Sequence, residues 1–165
     1  MLMNVSERIQ DFWKGFLAET RRAPDVPLYE AFHFGDKEAH ADQLSELVLC
    51  GKKVATASLL WEYETGDSRP PEPGDLSVVT DWHGSPLCVI ETLDVDIRPF
   101  EDVGPEFAAA EGEGDLSLEH WRQVHWAYYG RVCKRLARQR SMDMPVVCER
   151  FRLIYASSRS NIART

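Results

Sequence analysis

The sequence predicts an α+β domain in which a mixed, curled sheet or small barrel of about five or six strands is flanked by helices. Helical periodicity is confined to segments 5–18, 36–50 and 117–139, and strand-like segments lie between and after them. Their order is not the regular strand–helix alternation of a parallel sheet. The 165 residues suit one domain, and no internal repeat or glycine-rich phosphate loop interrupts it.

The composition is that of an ordinary soluble protein, with 44% hydrophobic and 28% charged residues. No apolar run approaches the roughly 18 residues of a membrane span, so we expect no membrane association. The N-terminus lacks a basic region followed by an apolar run, which indicates no secretory signal. We therefore expect a cytoplasmic protein.

The net charge of -8 is distributed unevenly along the chain. Residues 131–165 hold nine Lys or Arg against two Asp or Glu (+7), whereas residues 1–130 hold ten against twenty-five (-15). The basic segment can be either a patch that contacts nucleic acid or a solvated helix face with a basic tail. Composition alone leaves both interpretations open.

The two ends of the chain are expected to lie outside the main domain. Apolar residues at helical spacing over 5–18, with Asn4 as a possible cap, predict an amphipathic helix. We interpret residues 1–27 as this helix and a linker packed on a domain that spans 28–155. The small, polar residues 156–165 are predicted to be a disordered tail.

The first half of the domain is predicted to be strand, helix and strand. Alternation over 29–34 predicts a short strand, and the helix of 36–50 should end at Gly51 in the left-handed conformation. Alternation over 54–63 predicts the next strand. Lys53 and Thr56 would face opposite sides of a regular strand, so they can meet only if a bulge or a turn intervenes.

The second half begins with the polar, proline-rich segment 64–74, a surface loop or a mobile flap. Two strands over 75–80 and 87–97 should form a hairpin. Irregular or briefly helical chain leads to Glu111-Gly112-Glu113-Gly114-Asp115, where the acids are either catalytic or part of a solvated turn. A long helix over 117–139 and a strand over 145–155 complete the domain.

Lys53 lies among small residues that would allow close approach of a ligand, and partial burial would lower the pKa of its amine. The alternative is a lysine that only complements the end of the preceding helix. His120 and His125 are five residues apart, which does not suit a paired metal site, so we expect histidines that are satisfied or exposed. We expect no metal and no cofactor.

Four strings resemble the ASCH domain family, specifically its YhfF-like bacterial branch. They are LVLCGKKVATASLLWEYE, PGDLSVVTDWHGSPLCVIETLDVDIRPF, FAAAEGEGDLSLEHWRQVHWAYY and MPVVCERFRLIY. The resemblance covers about residues 28–155. It implies a PUA-like β-barrel with helices around a cleft, and an association with RNA or nucleotides.

Members of this family differ in activity. A small relative hydrolyses the amide of N4-acetylcytidine with a Lys and a Thr of a GxKxxT segment and a later Glu, and a YhfF-like member is a ribonuclease. By motif these residues correspond to Lys53, Thr56 and Glu113, the last aligning better than Glu111. Relatives often read GRKTAT where this chain has GKKVAT, so Val54 replaces a hydroxyl.

These observations lead to three functional hypotheses. The first is a metal-independent hydrolase of single-stranded RNA acting through Lys53. The second is an amidohydrolase of N4-acetylcytidine-type nucleosides, in which a neutral Lys53 takes the Thr56 proton and Glu113 assists the leaving group. The third is a non-catalytic RNA-binding module. Substrate-binding residues are predicted to be Gly51, Ser58, Trp61, Glu111 and Tyr128; the oligomeric state is left open.

Overall fold

The computed structural model describes residues 6–158, and Asn4 and segment 159–165 lie outside the described residues. The helices are α1 (Glu7–Glu19), α2 (Glu38–Leu49), α3 (Pro105–Ala110) and α4 (Leu118–Arg135). The strands are β1 (Glu30–Phe32), β2 (Ala55–Leu59), β3 (Leu76–Thr80), β4 (Pro86–Pro99) and β5 (Pro145–Ala156). No helix in the described part of the chain has the length and apolar character needed to cross a bilayer.

The five strands form one mixed sheet in the order β1-β3-β4-β5-β2. β1 runs parallel to β3, and the other neighbours are antiparallel. The long β4–β5 ladder shifts register twice, between Val89 and Ile90 and between Thr92 and Asp94. Because such irregularities increase local twist, they help the sheet to curl into a half-barrel. The predicted α+β class and curled mixed sheet are confirmed.

Three apolar clusters attach the helices to this sheet. α4 packs through Trp121 and Tyr129 against a group that includes Phe100 and Val146. α1 packs its buried face, which contains Phe16, against β3 and β4. α2 contributes to a third cluster with Phe34 and Phe151. The cores therefore lie on both sides of the sheet, and the helices are held at fixed positions around it.

Several element boundaries differ from the predictions, and two of them have a clear physical cause. The strand predicted over 54–63 stops at Leu59, because the Glu62 carboxylate accepts a hydrogen bond from the Leu59 N–H at 3.0 Å and residues 60–63 form a 3₁₀ turn. Ala156, predicted to begin the tail, is the last residue of β5 and pairs with Cys88. In both places a local hydrogen bond or a strand partner decides the boundary, and neither is visible in the periodicity.

The segment 64–74 is irregular and is fastened by Arg69. Its guanidinium makes two hydrogen bonds to the Asp75 carboxylate, at 2.7 and 2.8 Å. The Tyr29 hydroxyl donates to the Arg69 carbonyl, and the Arg69 guanidinium lies 4.9 Å from the centre of the Tyr29 ring. The surface-loop interpretation of this segment therefore describes its contacts better than a free flap does.

Candidate active site

The position of Lys53 is set by the end of α2. Gly51 adopts a left-handed conformation (φ 77°), as predicted, and the N–H groups of Lys52 and Lys53 both donate to the Leu47 carbonyl at 2.9 Å. Lys53 therefore lies before β2, not within it. Its side chain is only 1% exposed, and it lines the same cleft as Thr56. A regular strand would have placed Lys53 and Thr56 on opposite faces. Because the turn keeps Lys53 out of the strand, that restriction does not apply.

A second turn, from Glu111 to Gly114, packs directly on the chain at Lys53. The Val54 N–H donates to the Ala110 carbonyl at 2.9 Å. Gly112 has φ 74°, and a Cβ atom there would lie 2.4 Å from the Lys52 carbonyl oxygen. Only glycine permits both the conformation and the contact. This close approach brings the carboxylates of Glu111 and Glu113 to the Lys53 side chain.

The amine of Lys53 has three oxygen partners in this turn. Nζ lies 3.0 Å from Oε2 of Glu111, 3.3 Å from the Glu111 carbonyl oxygen and 2.9 Å from Oε1 of Glu113. The amine also lies 5.2 Å from the centre of the Phe34 ring, a cation–π contact. An ammonium carries three protons, so each finds one acceptor. The geometry is that of a fully satisfied buried cation.

His125 on α4 completes the cluster. Its ring stacks on Trp121 with centroids 4.1 Å apart, and its Nε2 lies 3.5 Å from Oε1 of Glu111. The sequence did not single out His125 as functional, and a satisfied or exposed histidine was expected. The sequence feature that could have indicated its burial is the helical spacing that places His125 on the same face of α4 as Trp121 and Val132.

The charges of the cluster shift its pKa values. Burial opposes the charged form of Lys53, but Glu111 and Glu113 outweigh it and raise the Lys53 pKa above its usual value. Burial likewise opposes ionised Glu111, but Lys53 and His125 hold its pKa well below the usual range. The two carboxylates therefore favour the ammonium form of Lys53, which argues against a neutral lysine as the base.

Glu113 differs from Glu111 in both exposure and charge state. Its side chain is 20% exposed, against 2% for Glu111. Burial raises the Glu113 pKa, Lys53 opposes the rise, and the nearby Glu111 charge adds to it, so the net shift is upward. Glu113 is thus the carboxyl of the pair that solvent can reach and that can exchange a proton nearer to neutral pH.

The cleft beside this cluster has a volume of about 240 Å³. It lies at the opening of the half-barrel, where the edge strands β1 and β2 contribute Glu30 and Thr56 to its lining. α4 closes another side with His125 and Tyr128. The cleft therefore occupies the gap that the five strands leave unclosed.

The structure brings most of the predicted site residues together. Besides Lys53 and the two glutamates, the cleft is lined by Thr56, Ser58 and Tyr128. Within the described chain, no hydrogen bond joins the Thr56 hydroxyl to Lys53. The other two predicted residues lie elsewhere: Gly51 is exposed at the end of α2, and Trp61 packs on the core beneath the Arg138 guanidinium.

An acidic wall that the sequence analysis missed faces the same cleft. It is formed by Glu30 on β1 and Glu149 on β5, and Glu149 accepts a hydrogen bond from Thr92 at 2.7 Å. Burial, together with the charges of Glu149 and Asp75, raises the Glu30 pKa to about 7. These residues come from strands far apart in the sequence, so only the curl of the sheet reveals the pair.

The cleft is predominantly acidic. Among the described residues, six carboxylate side chains line it, against one lysine, one arginine and three histidines. The two strong cations are both paired, Lys53 with the glutamates and Arg131 with Asp36 at 2.8 Å. Acidic partners also neutralise two further arginines of the basic segment, Arg135 and Arg138. The described part of this segment, residues 131–158, thus places no row of unpaired cations along the cleft.

The fold and the site together define a class of protein, an α+β half-barrel with a buried lysine–carboxylate cluster at its opening. The chain belongs to the ASCH domain family, whose model matches residues 30–155. The resemblance found in the sequence is confirmed.

Two solved structures are similar over nearly the whole chain. The ASCH domain from Lactobacillus crispatus JV V101 is 34% identical, with a TM-score of 0.86, over 93% of this chain and 98% of that one. A protein from Enterococcus faecalis V583 is 27% identical, with a TM-score of 0.85, over 94% and 93%. No curated protein matches the sequence.

Proposed function

We propose that this protein is an amidohydrolase that removes an acyl group from a small, uncharged modified nucleoside of the N4-acetylcytidine type. The observation that carries the proposal is the ion-paired Lys53 amine, held between Glu111 and Glu113 at the base of an acidic cleft. The ASCH domain family is generally RNA-binding, and the proposed substrate is a modified nucleoside of the kind found in RNA.

In this proposal Glu113, not Lys53, moves the proton. A carboxyl that is partly exposed and has a raised pKa suits a general base and acid better than a satisfied ammonium does. Lys53 holds the two carboxylates in place and supplies positive charge beside the reacting group. The role of general base, which the sequence analysis assigned to Lys53, is therefore assigned to Glu113.

The reaction proceeds in two balanced halves. Glu113 takes the proton of the Thr56 hydroxyl as its oxygen attacks the acyl carbon, and the carbon–nitrogen bond breaks as Glu113 gives that proton to the leaving amine. Water then attacks the acyl-threonine ester, again losing a proton to Glu113, and the Thr56 hydroxyl is regenerated with that proton. The products are the free amine and a carboxylic acid.

The charge and size of the cleft support a nucleoside over a strand of RNA. A strand brings phosphates, which bind where unpaired Lys or Arg side chains can neutralise them, whereas here six carboxylates face the ligand. The volume of about 240 Å³ lies just below the range of about 300–1,000 Å³ of pockets that bury drug-sized ligands. One nucleoside-sized molecule suits such a space.

The test is to incubate the purified protein with N4-acetylcytidine and, separately, with single-stranded RNA, and to identify products by mass. We expect cytidine and acetate from the first and intact RNA from the second. Glu113→Gln is the inactive variant, and Asp115→Asn, an exposed carboxyl in the same turn, is its matched control.

Each other outcome has a definite meaning. RNA fragments from wild type that disappear with Glu113→Gln would replace amide hydrolysis with the ribonuclease hypothesis. Binding of the nucleoside without any product would leave a non-catalytic module. Equal product from wild type and Glu113→Gln would remove Glu113 from the chemistry.

A further inference from the structure

His125 has one ring nitrogen whose protonation state is fixed by its neighbour. Nδ1 lies 2.9 Å from the backbone carbonyl oxygen of Trp121, one helical turn earlier on α4. A carbonyl oxygen only accepts hydrogen bonds, so Nδ1 must carry a proton to make this contact. In a neutral imidazole the other nitrogen, Nε2, would then hold an unshared electron pair.

That second nitrogen faces a buried carboxylate. Nε2 lies 3.5 Å from Oε1 of Glu111, whose side chain is 2% exposed. No hydrogen bond reaches this Oε1 from any residue of the described chain. A bare Nε2 would place two electron pairs face to face, away from water, and leave the carboxylate oxygen unsatisfied. A proton on Nε2 removes both problems.

We propose that His125 is a positioning residue that is doubly protonated in the resting protein and directs its Nε2 proton at Glu111. Through Glu111 it fixes the Lys53 amine, and through that amine the carboxylate of Glu113. The role in positioning Glu113 for reaction rests on the proposed function, whereas the protonation state stands on the geometry alone.

The groups around the ring support the charged form. Glu111 and Glu113 bring two negative charges, and Lys53 brings one positive charge, so an imidazolium balances the cluster. Burial lowers the His125 pKa, but the Glu111 charge outweighs it and the net shift is upward. Burial keeps a further ionisable neighbour, Tyr129, neutral by raising its pKa far above the usual value.

The sign of the pH effect follows from that upward shift. The His125–Glu111 interaction is fully present below the ordinary histidine pKa of about 6.5 and is lost as pH rises through the higher pKa of the folded protein. If Glu113 catalyses hydrolysis, activity should rise with pH as Glu113 loses its proton and fall again as His125 loses one.

The decisive experiment is nitrogen NMR of the five histidine side chains in ¹⁵N-labelled wild type, with His125→Gln used to assign the His125 signals. We expect both His125 nitrogens to be protonated at pH 7 and the ring to lose its proton only above the ordinary histidine pKa of about 6.5. A neutral ring protonated only on Nδ1 at pH 7 would overturn the proposal. This readout does not depend on whether the protein is an enzyme.

Paired variants then test the positioning role on N4-acetylcytidine. His125→Gln offers a side-chain N–H but does not titrate, so it should retain activity and lose the fall at alkaline pH. His125→Phe keeps a ring to stack on Trp121 but offers no donor, and its turnover should drop by about 10-fold or more. Similar pH profiles in wild type and His125→Gln would contradict the role.

Discussion

The Nζ atom of Lys53 lies 2.9 Å from Oε1 of Glu113, so a fully buried amine is tied to the most exposed carboxylate of its cluster. From the sequence, a neutral Lys53 was expected to act as the base and Glu113 to assist the leaving group. In the proposed mechanism Lys53 instead supplies fixed charge, and the partly exposed Glu113, whose pKa is raised, exchanges the proton.

Loss of the Lys53 charge should destabilise the protein. Lys53→Met removes the cation that lies between the carboxylates of Glu111 and Glu113, and breaking a buried ion pair typically costs about 3–5 kcal/mol. The free energy of unfolding in urea measures the effect. Lys52→Met, at the exposed neighbouring position, should change stability by less than about 0.5 kcal/mol. Equal stability of the two variants would show that the pair contributes nothing to folding.

Loss of the Glu113 carboxylate should affect chemistry more than folding. Glu113→Gln should reduce hydrolysis of N4-acetylcytidine by about 10²–10⁴-fold, the usual contribution of a general base. Because the Glu113 pKa is raised, wild-type activity should be lost as pH falls through a value above the ordinary glutamate pKa. Steady-state rates across pH check both statements, and an acidic limb that persists in Glu113→Gln would contradict the assignment.

Thr56 should carry the acyl group during turnover. Thr56→Ala should lose activity, while Thr56→Ser, which keeps the hydroxyl, should retain a measurable part of it. Mass spectrometry of acid-quenched wild type should detect an increase of one acetyl group on the peptide that contains Thr56. Full activity of Thr56→Ala would mean that water attacks the substrate directly.

Gly112 should be far less tolerant of substitution than Gly51. Both have positive φ, which alone costs an ordinary residue about 1–2 kcal/mol. A Cβ at Gly51 meets nothing within 4 Å, whereas at Gly112 it lies 2.4 Å from the Lys52 carbonyl oxygen. Gly112→Ala should therefore lose more unfolding free energy than Gly51→Ala, and also the activity. Equal losses in urea unfolding would rule out the clash.

Glu30 should make stability fall as pH rises. Its pKa in the folded protein is about 7, against 4.5 as the ordinary value, so the folded state holds the proton more tightly. Stability is greatest below about pH 4.5 for this group and declines towards pH 7, by up to about 3 kcal/mol. Glu30→Gln should remove that decline in urea unfolding series, and the exposed Glu46→Gln should not.

Much of the fold was predictable because local patterns determine it. The spacing of apolar residues located α1, α2 and α4, and Gly51 marked the end of α2. Predicted boundaries failed where a distant or side-chain partner decides them, as at Leu59, whose N–H is bonded by Glu62.

The site was predictable only in part. Motif resemblance identified Lys53 and Glu113, but the charge of Lys53 depends on contacts made across about 60 residues of chain, which no motif describes. Helix packing brings His125 to the cleft, and the curl of the sheet brings Glu30 there. Their positions in the cleft lining could therefore not be inferred from sequence spacing.

The strand order has a consequence for how the protein is made. β2, which carries Thr56, pairs with β5, which follows it in the sequence by about 85 residues and is the last of the described strands. A nascent chain that ends before Pro145 has Lys53, Glu111 and His125 already synthesised, yet its β2 edge is unpaired and the half-barrel lacks a strand. The cleft is therefore completed only after β5 has been synthesised, and nascent chains that lack β5 should be inactive.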